Sequence, residues 1–189
     1  MNRQPLAIVM TGAPASGKST TAYELAAKMG AAVLDLDSMT NPMLDVVCEL
    51  IGAADYSDAR VAELTRDARY ECLVNVARDC LSAGVPVVMI APFTSERESP
   101  AAWAALESRL TDAGGRASLV WIRVGPELLA QRMTARGAPR DSQKLADIAG
   151  YISRLNLDPP HAPHLEVNGA HGPAAQVSFL MQALADPSR

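Results

Sequence analysis

Short apolar runs alternate with amphipathic stretches along the whole chain. Five runs are apolar at nearly every position, which is typical of strands buried on both faces of a parallel sheet. They predict strands at Leu6–Met10, Ala32–Leu36, Val85–Ile90, Ala117–Val124 and His164–Val167. The stretches between them repeat apolar residues with a helical period. They predict helices at Lys18–Met29, Pro42–Ile51, Asp58–Ser82, Pro100–Ala113, Pro126–Arg136, Ser142–Leu155 and Ala174–Leu184.

Glycine and proline positions agree with these boundaries. Gly30 follows the first predicted helix, and Pro42, Pro100 and Pro126 stand where a helix begins, in the first turn that tolerates proline. Alternating strands and helices imply right-handed crossovers. We therefore expect an α/β fold, a three-layer sandwich whose five-stranded parallel sheet carries helices on both faces. With no repeat or long linker, residues 1–189 are predicted to form one domain.

Composition narrows the class of protein. The 17 Lys and Arg against 21 Asp and Glu give a formal net charge of −4, which argues against general nucleic-acid binding, because phosphate neutralisation supplies most of that affinity. No run approaches the ~20 apolar residues that cross a bilayer, so no membrane partner is expected. The cysteines, Cys48, Cys72 and Cys80, lack metal-type spacing and are interpreted as reduced thiols of a cytoplasmic protein.

One motif points to the chemistry. The run from Gly12 to Ser19 matches G-x-x-x-x-G-K-[ST], with a predicted strand before it and a helix after it. Its backbone N–H groups and the helix dipole would bind phosphate oxygens. Lys18 is expected to reach the β- and γ-phosphates, and the Ser19 hydroxyl to bind Mg²⁺. The predicted nucleotide-binding residues here are Gly12, Ala13, Pro14, Ala15, Ser16, Gly17, Lys18, Ser19 and Thr20.

Two other classes of phosphate-binding-loop protein fit less well. A guanine-specific switch protein would carry N-K-x-D late in the chain, and the sequence has none. A transporter-type ATPase needs a glycine-rich signature ahead of an acidic strand, whereas Leu81-Ser82-Ala83-Gly84 reads as a helix end.

Two carboxylates follow the second predicted strand. Ligands of an open parallel sheet gather at the carboxyl ends of its strands, where Asp35 and Asp37 stand. Because they alternate by two, we expect them on one side of an extended segment. A carboxylate there can take a proton from a substrate hydroxyl, or hold Mg²⁺ together with Ser19. The alternative is that one of them caps the following helix.

The motif and this acidic pair together resemble a known family. The run Gly12 to Thr20, followed by Asp35-Leu36-Asp37, resembles the small P-loop kinases of the gluconate-kinase, chloramphenicol-phosphotransferase and zeta-toxin types, and the kinase domain of polynucleotide kinases. The resemblance implies a P-loop NTPase fold with ATP and Mg²⁺ as cofactors. It also implies that Asp37 is the base that deprotonates the acceptor hydroxyl, with Asp35 supporting or replacing it.

A pair of arginines at about residues 126–143 resembles the lid of the nucleoside-monophosphate and small-molecule kinases. Arg132 and Arg136 lie one helical turn apart, and Arg140 follows in a loop. The resemblance implies that Arg132 faces the nucleotide, while Arg136 and Arg140 face the γ-phosphate, where guanidinium groups stabilise developing charge. The alternative is a solvated helix face.

Acceptor-binding candidates come from the resemblance, in which a helix between the second and third strands lines the acceptor pocket. Arg66 and Arg69 on that helix, with Thr94 and Arg97 after the third strand, are the candidates, although Arg66 also suits an ion pair on a wet helix surface. The stretch before the last strand resembles the segment that flanks adenine, which would place His161 beside the base.

The sequence therefore predicts a phosphotransferase that moves the γ-phosphoryl group of ATP to a hydroxyl of a small molecule: a sugar acid, an antibiotic or a nucleoside. The third predicted strand ends without an acid, which disfavours a pure ATPase. A polynucleotide-end or zeta-toxin-like kinase, and a nucleotide-sensing binding protein with little turnover, are the alternatives. A monomer or a homodimer is expected.

Overall fold

The computed structural model describes residues 4–56, 58–137 and 142–185. Its strands are β1 Leu6–Gly12, β2 Ala32–Asp35, β3 Val87–Ile90, β4 Arg116–Arg123 and β5 Leu165–Asn168. Its helices are α1 Lys18–Met29, α2 Leu36–Ile51, α3 Ala59–Ser82, α4 Thr94–Glu98, α5 Pro100–Asp112, α6 Pro126–Arg136, α7 Ser142–Ala146, α8 Ile148–Ser153 and α9 Pro173–Ala185. Within these ranges no helix combines the length and the apolar character that crossing a bilayer requires.

The strands form one parallel sheet in the order β2-β3-β1-β4-β5. The central strand β1 pairs with β3 from Ala7↔Val87 to Met10↔Ile90, and with β4 along its full length. The chain leaves β1 for β2 on one side and later leaves β3 for β4 on the other. The carboxyl end of β1 therefore lies at the crevice where α/β sheets bind ligands. The predicted α/β architecture is confirmed.

Both faces of the sheet are buried by helices. On β1 the side chains alternate, with Ala7 and Val9 in one apolar cluster and Ile8 and Met10 in the other, all fully buried. Helices α3 and α5 cover the first face, and helices α1, α6 and α9 cover the second. This two-sided burial explains why β1 and β3 are continuous apolar runs rather than alternating ones.

The prediction that α2 begins at Pro42 is wrong. The helix begins at Leu36, because the carboxylate of Asp35 accepts hydrogen bonds from the backbone N–H groups of Asp37 at 3.0 Å and Ser38 at 3.4 Å. Pro42 lies inside the helix, where it offers no N–H to the carbonyl four residues before it. A strong cap upstream thus outweighs the proline signal.

The single helix predicted at Ser142–Leu155 is also wrong. The structure has two short helices, α7 and α8, separated at Asp147. The carboxylate of Asp147 accepts a hydrogen bond from the Gly150 N–H at 2.9 Å and caps α8. A local cap again divides a segment whose apolar period runs through both helices.

Candidate functional site

The loop between β1 and α1 is a tight turn with several left-handed residues. Gly12 has φ +147°, and a Cβ atom there would lie 2.7 Å from the Ile122 carbonyl oxygen. Gly17 caps α1 with φ +98°, and Ala15 has φ +62° without being glycine. The Ser16 hydroxyl is buried and has no hydrogen-bond partner among the described residues. Such strain and an orphaned hydroxyl are typical of a backbone shaped for a ligand.

Lys18 is folded back onto this loop. Its Nζ donates to the carbonyl oxygens of Gly12 and Ala13, both at 2.8 Å. Burial lowers the pKa of Lys18 to about 8, although the nearby carboxylate of Asp35 acts in the opposite direction. The cation therefore stands beside the loop that would hold the phosphates, and its charge depends on pH near neutrality.

Asp35 combines two of its predicted roles. One of its oxygens caps α2, and the other accepts a hydrogen bond from the Ser19 hydroxyl at 3.4 Å. A hydroxyl next to a carboxylate suits Mg²⁺, which takes oxygen ligands and keeps several waters and phosphate oxygens in its shell. The described residues contain no cluster of three His, Cys, Asp or Glu side chains that would hold a metal by protein ligands alone. The donor set therefore fits a metal bound mainly by a nucleotide.

Asp37 lies in the first turn of α2, so the prediction of one extended segment carrying both carboxylates is wrong. Its Oδ1 accepts a hydrogen bond from Arg69 Nη2 at 2.8 Å. The same guanidinium donates from Nε to the Thr40 hydroxyl at 2.7 Å and from Nη2 to Asn41 Oδ1 at 3.2 Å. Because the Asp37 side chain is 59% exposed, the ion pair adds at most about 1 kcal/mol to stability. What it provides is the orientation of the carboxylate.

A cleft of about 480 Å³, the first cleft, joins these groups. The phosphate-binding loop forms one wall, the start of α2 and one face of α3 form another, and the loop after β3 with Arg136 of α6 and Lys144 of α7 complete it. It brings together most of the predicted site residues: Lys18, Ser19, Asp35, Asp37, Arg66, Arg69, Thr94 and Arg136. Tyr70 and Lys144, absent from the predicted site, line it as well.

A second cleft of about 390 Å³ lies on the other side of the phosphate-binding loop. Arg132 reaches over it, donating from Nη1 to the Ser16 carbonyl at 3.0 Å and from Nη2 to the Gly169 carbonyl at 2.8 Å. It thereby joins the loop to the segment after β5. The residues that line this cleft include Thr20, Arg132, Arg136, His171, Pro173 and Gln176. Arg140 lies outside the described residues.

Two candidates lie away from both clefts. Arg97 is buried between α4 and the loop before β5, where its Nη2 donates to the carbonyls of Asn156 at 3.3 Å and Asp158 at 2.8 Å. Burial lowers the pKa of its guanidinium. The ring of His161 contacts the Glu98 carbonyl at 2.9 Å, and it is His171 that borders the second cleft.

Gln176 is a site residue that the sequence analysis missed. It is 4% exposed, its Oε1 accepts a hydrogen bond from the Thr21 hydroxyl at 2.5 Å, and its Nε2 donates to the His171 carbonyl at 2.6 Å. It therefore connects α1 to the loop that borders the second cleft. The available signal was a lone amide four residues before Leu180 on the apolar face of α9.

Comparisons with known proteins agree with this fold. The profile of the AAA domain family matches residues 8–155. The structure is similar to a candidate kinase from Chloroflexus aurantiacus, with a TM-score of 0.70 and 21% identity over 97% of both chains. It is also similar to the Mycobacterium tuberculosis APS kinase in complex with AMPPNP and APS (TM-score 0.61, 21% identity, 97% of this chain and 99% of that one). A gluconokinase from Sinorhizobium meliloti follows (TM-score 0.56, 20% identity, 97% of both chains). No curated protein sequence matches the chain significantly.

Proposed function

The chain belongs to the AAA domain family, and from that premise we propose that it is an ATP- and Mg²⁺-dependent phosphotransferase acting on a hydroxyl of a small molecule. The observation that carries the proposal is the first cleft, in which the oriented carboxylate of Asp37 shares a cavity with Lys18 of the phosphate-binding loop. Phosphoryl transfer to a hydroxyl needs these two parts together. The names of the similar structures, a gluconokinase and an APS kinase, support the same reaction class.

The phosphate-binding loop would hold the triphosphate. Its N–H groups and the start of α1 offer an anion site. Lys18 would exchange its two carbonyl contacts for phosphate oxygens, which are better partners for an ammonium group. Arg132 and the second cleft would border the rest of the nucleotide.

Asp37 would act as the general base. The acceptor oxygen forms a bond to the γ-phosphorus while the bond from that phosphorus to the bridging oxygen breaks, leaving ADP. The hydroxyl proton passes to Oδ2 of Asp37, since Arg69 occupies Oδ1. Arg136, which lines both clefts, would stabilise the charge on the transferred group.

Ser19 and Asp35 would hold the metal of the nucleotide complex, as their oxygens lie side by side. When bound there with the nucleotide, Mg²⁺ would supply positive charge that offsets the charge of the phosphates. Asp35 also contributes without the metal, because it caps the helix that carries Asp37.

An ATP-consumption screen tests this function. The acceptors are sugars, sugar acids, aminoglycosides, amphenicols, nucleosides and a 5′-hydroxyl oligonucleotide, the last of which would reveal a polynucleotide-end kinase. We expect transfer to a small molecule, with kcat about 10²–10⁴-fold lower in Asp37→Asn and nucleotide Kd unchanged. Asp67→Asn, an exposed carboxylate outside the first cleft, is the matched control. If Asp37→Asn kept full transfer activity, Asp37 would not be the general base. If the protein bound nucleotide but phosphorylated none of the acceptors, it would instead be a nucleotide-sensing protein.

A further inference from the structure

The first cleft has a charge opposite to that of the chain. The chain carries a formal charge of −4. Among the described residues that line the first cleft, five are basic and two are acidic, a formal excess of three positive charges. A cavity of one sign concentrates ligands of the other sign. A triphosphate with bound Mg²⁺ carries about two negative charges, so the sign of the first cleft also suits a second anionic ligand.

The basic residues of the first cleft differ in their hydrogen-bond and ion-pair partners. Lys18 belongs to the phosphate-binding loop, and Arg69 is held by Asp37, Thr40 and Asn41. Arg66 makes no hydrogen bond or ion pair with another described residue, and its charge acts on Glu96 and Tyr70 only at longer range. It lies on α3, on the face that lines the first cleft. Its charge is therefore available to a ligand.

Tyr70 adds a neutral donor beside Arg66. The two residues are four apart on α3 and share the face that lines the first cleft. The Tyr70 hydroxyl accepts a hydrogen bond from the Phe93 N–H at 3.1 Å, which leaves its own proton to donate. Burial raises the pKa of Tyr70, so the phenol keeps that proton. A guanidinium and a hydroxyl donor side by side match a group with several acceptor oxygens.

We propose that the hydroxyl acceptor is itself an anion, whose carboxylate or phosphate group binds Arg66 and Tyr70 while its hydroxyl lies at Asp37. This inference rests on the proposed function. Arg66 and Arg69 are three apart on α3, so their Cβ atoms are about 5–6 Å apart, and Arg69 contacts Asp37 directly. The hydroxyl and the anionic group of the acceptor are therefore separated by only a few bonds, which describes a small hydroxy acid or sugar phosphate.

Matched pairs of acceptors test the charge requirement. Each pair joins an acid to its neutral counterpart: an aldonic acid with its alditol, a uronic acid with its methyl ester, and a sugar phosphate with the free sugar. We expect kcat/KM at least tenfold higher for the acid of a pair. We also expect its KM to rise with ionic strength, because Arg66 is exposed. The carboxylate and phosphate pairs show which anion the site takes.

A variant assigns the effect to the residue. Arg66→Gln should raise KM for the acid about 10–100-fold with little change in kcat, and Arg66→Lys should restore part of the loss. Arg78→Gln removes an exposed charge on the same helix outside the first cleft, so it should leave the preference for acids unchanged.

Two results would overturn the inference in distinguishable ways. If neutral acceptors match their acids, or if Arg66→Gln keeps the full preference, the anionic acceptor is wrong and the phosphotransferase stands. If neither acids nor neutral compounds are phosphorylated while nucleotide binds, the proposed function fails and the inference fails with it.

Discussion

Nucleotide binding should take up a proton at Lys18 when the pH is above about 8. In the free protein burial lowers the pKa of Lys18 to about 8. In the complex the ammonium group would contact phosphate oxygens, and an opposite charge raises the pKa of a cation. Well below that pH the group is charged in both states and binding moves almost no proton. Above it the free protein has lost the proton, so binding must restore it and affinity falls as pH rises.

The pKa of Lys18 sets the size of the proton uptake and of the change in nucleotide Kd. At about pH 9 roughly nine tenths of the free protein carries neutral Lys18, so binding should take up about 0.9 proton per nucleotide. Between about pH 7.5 and pH 9 the Kd should rise about eightfold, or about 1.3 kcal/mol. The phosphates are ionised throughout this interval, so they contribute little to the change.

Titration calorimetry in two buffers of different ionisation enthalpy measures both quantities. Lys18→Arg is the control, because its guanidinium does not titrate in this range. The unfolding free energy gives an independent check. The unfolded chain binds more protons than the folded one between about pH 8 and 10.5, so the stability of the wild type relative to Lys18→Met should rise across that interval. An unchanged Kd with no proton uptake, and a flat stability difference, would refute the burial argument.

Two further predictions concern the backbone and the second cleft. Gly12→Ala should abolish nucleotide binding and lower the unfolding free energy by about 1–3 kcal/mol, because the new Cβ would clash with the carbonyl oxygen of Ile122 in β4. The control is Gly30→Ala, which also has a positive φ but lies in open space, so it should keep nucleotide binding in the same calorimetric titration. Gln176→Leu should raise the KM for nucleotide several-fold and lower the unfolding free energy by about 1–3 kcal/mol in thermal unfolding, because the Thr21 hydroxyl loses its partner. An unchanged KM would contradict a role of Gln176 in positioning the loop that borders the second cleft.

The sequence locates the loop between β1 and α1 because the signals for that loop are local. Residues 12–19 follow one another along the chain, and their conformation depends on glycine positions and on the neighbouring strand and helix. The same holds for β1 and α1, whose apolar periods are unambiguous. Errors arise where two local signals compete, as where the Asp35 cap outweighs the proline signal at Pro42.

The part of the first cleft that is proposed to bind the acceptor depends on contacts between residues that are distant in sequence. Arg69 meets Asp37 across 32 positions of sequence, and the contact exists only because α3 packs against the start of α2. No spacing rule reveals which residues of a helix so distant in sequence face a carboxylate. The sequence therefore names Arg69 as a candidate without its partner.

The two halves of the site are also supported by different parts of the core. Leu44 and Cys48 of α2 pack with Val61 of α3 in a small apolar cluster of their own, separate from the clusters on the sheet faces. The phosphate-binding loop instead follows β1, whose residues from Ala7 to Met10 are fully buried. If the proposed function is right, substitutions on the α3 face, at positions such as Ala62 and Arg66, would therefore change which acceptor binds while the loop keeps its geometry. A single fold of this kind would then serve many acceptors, because the wall proposed to select them is made of helix side chains rather than of the strained loop backbone.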